Sequence, residues 1–68
     1  MRRLWKAARG FCTYCLAKLK RWEATIDHMT PLSRGGTSEP WNLTLACVEC
    51  NLDKGSLTFE EYMRMRYA

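Results

Sequence analysis

The chain has 68 residues, with 11 lysines and arginines against 7 acidic residues, giving a formal net charge of +4. A chain this short forms one small domain spanning 1–68 and buries only roughly 60% of its unfolded surface, so its apolar core alone is marginal and a staple is expected. No stretch approaches the roughly 20 apolar residues of a membrane span, and the basic start MRRLWKAARGF lacks the apolar run of a secretory signal.

Those absences point to a reducing cytoplasm, where disulfides are rare. The basic excess favours a polyanionic partner, although ordinary solubilising charge would give the same balance.

In chain order, residues 2–9 read as a short helix with Leu4, Trp5 and Ala8 on one face and Phe11 continuing it. Arg2, Arg3, Lys6 and Arg9 decorate the remainder as a surface able to track a nucleic-acid backbone, and Gly10 stops the helix. FCTYC follows as a tight turn carrying two cysteines, and LAKLKRW is a basic connector of no definite type. Trp22 to Asp27 has the β-branched content and partial alternation of a strand.

Pro31 and the pair Gly35-Gly36 make the next segment a loop, the glycines serving a tight turn. Asn42 to Ala46 is a second short strand that pairs back on the first. From Cys47 the run VECNLDK suits a helix that Gly55 ends. Thr58 and Glu61 form a capping box that opens a last helix, with Tyr62, Met63, Met65 and Tyr67 as its inner face. Trp5, Trp22 and Trp41 are expected to serve as core or as cover for the hairpin.

Cys12/Cys15 and Cys47/Cys50 are two CxxC pairs with 31 residues, 16 through 46, between them. Such turns converge their sulfurs, and two of them make a tetrahedral four-thiolate site that suits zinc and contributes folding free energy. Disulfides are the alternative in an oxidising compartment. Iron is another, as in small electron carriers resembling rubredoxin, but the chain is basic and its second knuckle, CVECN, lacks their proline and glycine. Any such closed site is structural, so chemistry has to reside elsewhere.

Outside the cysteines a polar set remains: Asp27, His28, Arg34, Asn42, Asn51 and Lys54. Helix residues advance by about 100° each, so Cys50 can face the metal while Asn51 turns to the hairpin, with Lys54 projecting nearby. Arg34 and Lys54 could contact phosphates, or could simply be solvated charges.

The ordered features Cys12/Cys15, Asp27-His28, Gly35-Gly36, Asn42-Leu43, Cys47/Cys50-Asn51 and Lys54-Gly55, from about Phe11 to Gly55, resemble the HNH endonuclease family. The resemblance implies a small α+β fold with a treble-clef-like ββα-metal core, stapled by structural Zn²⁺ on Cys12, Cys15, Cys47 and Cys50, with helices flanking it. It implies His28 as the general base that activates water, Asp27 and Asn51 as ligands of the catalytic metal, and Asn42 as the residue that orients the loop and the His28 ring. Asn51 stands where the family name has histidine. A carboxylate with an amide oxygen is a hard site that fits Mg²⁺ or Mn²⁺ better than nickel or zinc.

The substrate so implied is DNA, nicked with 5′-phosphate and 3′-hydroxyl ends by a monomer or weak homodimer. Little room is left for base recognition, so cutting is expected to be unspecific or directed by a larger DNA-processing partner protein. The setting implied is the cytoplasm of a bacterial or phage-infected cell, as for accessory proteins of phages and mobile elements. The rival from another class is an idle zinc module that holds DNA or protein, for which the Asp27, His28, Asn42 and Asn51 set would be superfluous.

Overall fold

The computed structural model describes residues 2–68. Its elements are α1 (Arg2–Ala8), β1 (Ala24–His28), β2 (Leu43–Cys47), α2 (Val48–Lys54) and α3 (Phe59–Tyr67), joined by three short 3₁₀ turns. β1 and β2 form an antiparallel pair running from Ala24↔Cys47 at one end to His28↔Leu43 at the other. This register sets the second cysteine knuckle beside the start of β1 and places His28 at the far end.

β1 begins later than the sequence pattern suggests. Arg21–Glu23 closes a 3₁₀ turn instead, because the Glu23 carboxylate accepts the Lys20 amide at 2.8 Å. Asn42 likewise ends the 3₁₀ turn Pro40–Asn42 and does not open the strand. The basic connector after the first CxxC pair is a narrow hairpin. Phe11 bridges Lys18, Cys12 N–H donates to Ala17 O at 2.9 Å, and Leu19 N–H donates to Gly10 O at 2.7 Å.

The expected helix caps are present. Cys47 caps α2, its Sγ accepting the Cys50 amide at 3.3 Å, and Gly55 follows the helix with φ of 53°. Thr58 caps α3 while the Glu61 carboxylate returns a bond to the Thr58 amide at 2.9 Å. Gly36 packs so closely on Thr30 that an added Cβ would lie 1.8 Å from the Thr30 carbonyl oxygen. The loop therefore needs glycine there to fold back on itself.

The buried apolar set is Cys12, Tyr14, Leu19, Leu45, Ala46, Cys50 and Tyr62, flanked by Leu4, Trp5, Ala8, Leu57, Phe59 and Met63. Two of those seven are cysteines and two are tyrosines, so little aliphatic surface is buried and the metal staple is needed.

The aromatic expectations require correction. Trp22 is 80% exposed and Trp41 73%, since each sits in a 3₁₀ turn outside the strand pair and neither covers it. Only Trp5 packs on the core. In α3, Tyr62 is buried, Met63 half-buried and Met65 exposed, so the inner face is narrower than the apolar run implies. Tyr67 turns its hydroxyl back to donate to the Tyr14 carbonyl, although its ring is largely exposed. No helix among the described residues is long and apolar enough to cross a membrane.

Candidate active site and zinc knuckle

The CxxC turns bring the four cysteine sulfurs within 4.8 Å of one another. Cys15 Sγ and Cys47 Sγ lie 3.9 Å apart, and all four cysteines are free thiols. Sulfurs about 2.3 Å from a central zinc would stand about 3.8 Å from each other, so this cluster matches the ion's requirement. The thiols also call for a cation. Burial pushes the Cys50 thiol up to about 12, helped by hydrogen bonding with Cys47, and burial raises Cys47 as well. Burial acts in the same sense on Cys12, but hydrogen bonds from the backbone of Cys15, Cys47 and Tyr14 outweigh it and leave that thiol at about 7. Four clustered thiolates are thus unfavourable until a dication balances them. The cluster has the donor set and spacing of a structural zinc site.

The second site lies at the other end of the hairpin. Asp27 and His28 are adjacent in β1 and so project to opposite faces. His28 is half-buried, with Nε2 3.1 Å from Ser38 Oγ. Asn42, 8% exposed, organises the intervening loop. Its Nδ2 donates to Thr30 O at 2.9 Å and to Thr37 O at 2.6 Å, while its Oδ1 accepts the Thr30 amide at 2.9 Å. Its backbone carbonyl accepts the Met29 amide at 2.8 Å. Both ends of the 30–37 loop are thereby clamped, and Ser38 is held where the imidazole reaches it.

Asp27 is buried, and both carboxylate oxygens have partners. The Tyr14 hydroxyl donates to Oδ2, and the Lys54 ammonium lies 3.4 Å from Oδ1. Burial first, and then the hydrogen bond to Asp27, hold the Tyr14 hydroxyl well above the ordinary tyrosine range, so it stays protonated and donates to the carboxylate. Lys54 also donates to the His28 carbonyl at 2.9 Å.

Asn51 has a fixed amide orientation. The Thr25 hydroxyl donates to Ala46 O at 2.8 Å, so it can only accept from Asn51, and Nδ2 occupies that position at 2.9 Å. The Ile26 carbonyl, 3.5 Å from Nδ2, is likewise an acceptor. Asn51 Oδ1 is left without a partner among the described residues.

Asp27, His28, Asn51 and Lys54 line one shallow cleft of about 230 Å³, closed by Ile26, Pro31, Leu32 and Gly55. Of the residues singled out in the sequence, the structure brings these four together, with Asn42 just behind them. Arg34 is outside, its guanidinium engaged by the Glu61 carboxylate. Arg2, Arg3, Lys6 and Arg9 are exposed on and just after α1 and do not line the cleft. Neither alternative raised for Lys54, a phosphate contact or a solvated charge, agrees with its position. At 1% exposure its ammonium is spent on two internal acceptors.

Two contributors escape a reading of the sequence. Tyr14 sits inside the first CxxC turn, and nothing in one sequence tells where its hydroxyl points. Ser38 looks like any loop serine. Helical spacing does place Lys54 beside Asn51, but its burial against Asp27 is not visible in the sequence.

A two-stranded antiparallel hairpin followed directly by a helix, with Asp-His closing the first strand and Asn on the helix beside a four-cysteine knuckle, is a ββα-metal arrangement. The chain matches the HNH endonuclease family over residues 12–57 and belongs to it. No curated protein matches the chain.

Proposed function

We propose that this protein is a metal-dependent DNA endonuclease in which His28 activates water and Asp27 and Asn51 hold the catalytic cation. The observation that supports the reading is that Asp27, His28 and Asn51 line one cleft, with Asn51 Oδ1 left free by the Thr25 hydrogen bond.

The residues divide the work. Ser38 Oγ pairs with His28 Nε2 and orients the ring; in the tautomer whose Nε2–H donates to Ser38, Nδ1 is open to take a proton from water. Asn42 keeps Ser38 and the loop in place so that the ring does not swing. Asp27 and Asn51 offer one carboxylate and one amide oxygen, a hard donor pair that fits Mg²⁺ or Mn²⁺ and leaves room for water and phosphate. When bound, such a cation would supply charge stabilisation at the phosphate and at the leaving 3′ oxygen. The expected products are 5′-phosphate and 3′-hydroxyl ends. A single site cuts one strand, so the monomer nicks, with low sequence preference or under direction from a partner.

One observation favours a second reading. The Asp27 charge is already balanced by Lys54, so the hairpin is self-sufficient without a divalent ion, as an idle zinc module that holds DNA or protein would be. A 5′-labelled duplex incubated with zinc-loaded protein and Mg²⁺, Mn²⁺ or EDTA separates the two. Metal-dependent nicks whose 3′ ends a polymerase extends support the nuclease. Binding without any strand scission in either metal supports the idle module.

A further inference from the structure

The mechanism above uses every polar group of the cleft except the most deeply buried one. Lys54 is 1% exposed, and a lysine is among the costliest side chains to bury. It ends 2.9 Å from the His28 carbonyl and 3.4 Å from Asp27 Oδ1. Its acceptors belong to the two adjacent residues assigned as base and metal ligand, and its own helix carries Asn51. One ammonium therefore ties the three functional positions together.

It also sets the charge of the cleft. The lining residues are Ile26, Asp27, His28, Pro31, Leu32, Asn51, Lys54 and Gly55, among which Asp27 is the only acid. Paired with Lys54, it gives the cleft no net negative charge with which to attract a dication. The Asp27 Oδ2 atom is occupied as well, though only by the neutral Tyr14 hydroxyl. Whatever further negative charge a divalent ion needs must come from outside the protein, and a phosphodiester carries it.

We infer that Lys54 is the resident counter-ion of Asp27, a positioning residue that keeps the divalent-metal site weak in the free protein and makes its loading depend on the substrate phosphate. This rests on the assignment of Asp27 and Asn51 as metal ligands. The consequence is a nuclease whose metal and DNA bind cooperatively.

The test is Mn²⁺ binding, read from the electron paramagnetic resonance of free Mn²⁺, to zinc-loaded protein carrying His28→Ala so that DNA stays intact. In that background, Lys54→Met and Asp27→Asn are compared without DNA and with a short duplex. Removing a unit charge next to the ligand should tighten DNA-free Mn²⁺ binding by about tenfold or more and shrink the gain that DNA confers. Unchanged or weaker binding in Lys54→Met, with zinc content and fold intact, overturns the counter-ion role. If Asp27→Asn still binds Mn²⁺ like its parent, the ligand assignment fails first and the inference falls with it.

Should Lys54→Met not fold, the wild-type chain answers. The ¹H–¹⁵N correlation of the Lys54 ammonium should be visible and should shift when Mg²⁺ and duplex are added together. A signal that stays put at saturating metal and DNA, while Asp27 carboxyl resonances move, contradicts the inference.

Discussion

Replacing Asn42 by alanine removes three hydrogen bonds, to the amide and carbonyl of Thr30 and to the carbonyl of Thr37. Their costs differ. Thr37 is exposed, so its carbonyl regains water and loses little, whereas Thr30 is half-buried and both its groups lose partners they cannot fully replace. At about 1 kcal/mol for each of the Thr30 bonds and a fraction of that for the third, the loss is about 2–3 kcal/mol. A domain of this size has a total stability of only about 5 kcal/mol, so such a loss is a large share of it. The zinc knuckle is built at the other end of the hairpin, so Asn42→Ala should keep its metal. Asn42→Asp is the sharper variant. Its carboxylate can still accept the Thr30 amide, but its second oxygen would face the Thr30 and Thr37 carbonyls that Nδ2 now serves, so it should be no more stable than the alanine. Urea unfolding at fixed free zinc, followed by circular dichroism, measures both. An aspartate variant as stable as wild type, or an alanine variant that loses under about 0.5 kcal/mol, would show that the clamp does not hold the loop.

Tyr14→Phe keeps the ring that packs edge-on to Tyr62 and against Phe59 but deprives the buried Asp27 carboxylate of a donor; about 1.5–3 kcal/mol of stability should be lost in the same unfolding assay, and a neutral outcome would mean the hydroxyl does not support Asp27. Zinc binding must displace protons from Cys47 and Cys50, both raised by burial, so zinc affinity should fall steadily from pH 8 to pH 6 in competition with a chromophoric chelator. An affinity independent of pH would argue against thiolate ligation. Glu61 is held below the ordinary carboxyl range by Arg34 first and by the Thr58 amide second. A depressed folded-state value contributes stability above the unfolded carboxyl value and loses it as pH falls through the folded one, so wild type and Glu61→Gln should differ at pH 7 and converge in acid. A difference that persists undiminished at pH 3 would refute the ionic account of that contact.

Much of this molecule is legible in its residues because small metal-stapled folds carry their constraints in short motifs. The CxxC spacings oblige the sulfurs to converge, Gly55 and the Thr58–Glu61 box mark helix ends, and Asp27-His28 closes a β-branched run. What escapes depends on tertiary packing. A tryptophan reads as core by its size, yet Trp22 and Trp41 lie in turns beyond the strand register, where both stay largely exposed. Lysine reads as solvated by its charge, yet Lys54 is drawn inward by a carboxylate and a carbonyl that only the hairpin brings together. The Tyr14 hydroxyl reaches Asp27 only because the first knuckle folds beneath β1, a contact between residues 13 positions apart.

The central claim is that the cleft bearing His28 cuts DNA. The most direct measurement is relaxation of supercoiled plasmid by purified, zinc-loaded protein in Mg²⁺ or Mn²⁺ against EDTA, with wild type and His28→Ala run in parallel after both are shown to hold one zinc and the same fold. The account predicts metal-dependent nicking by wild type and its loss in His28→Ala. Nicking that survives in His28→Ala, or a wild type that binds DNA and never nicks it in either metal, would contradict it.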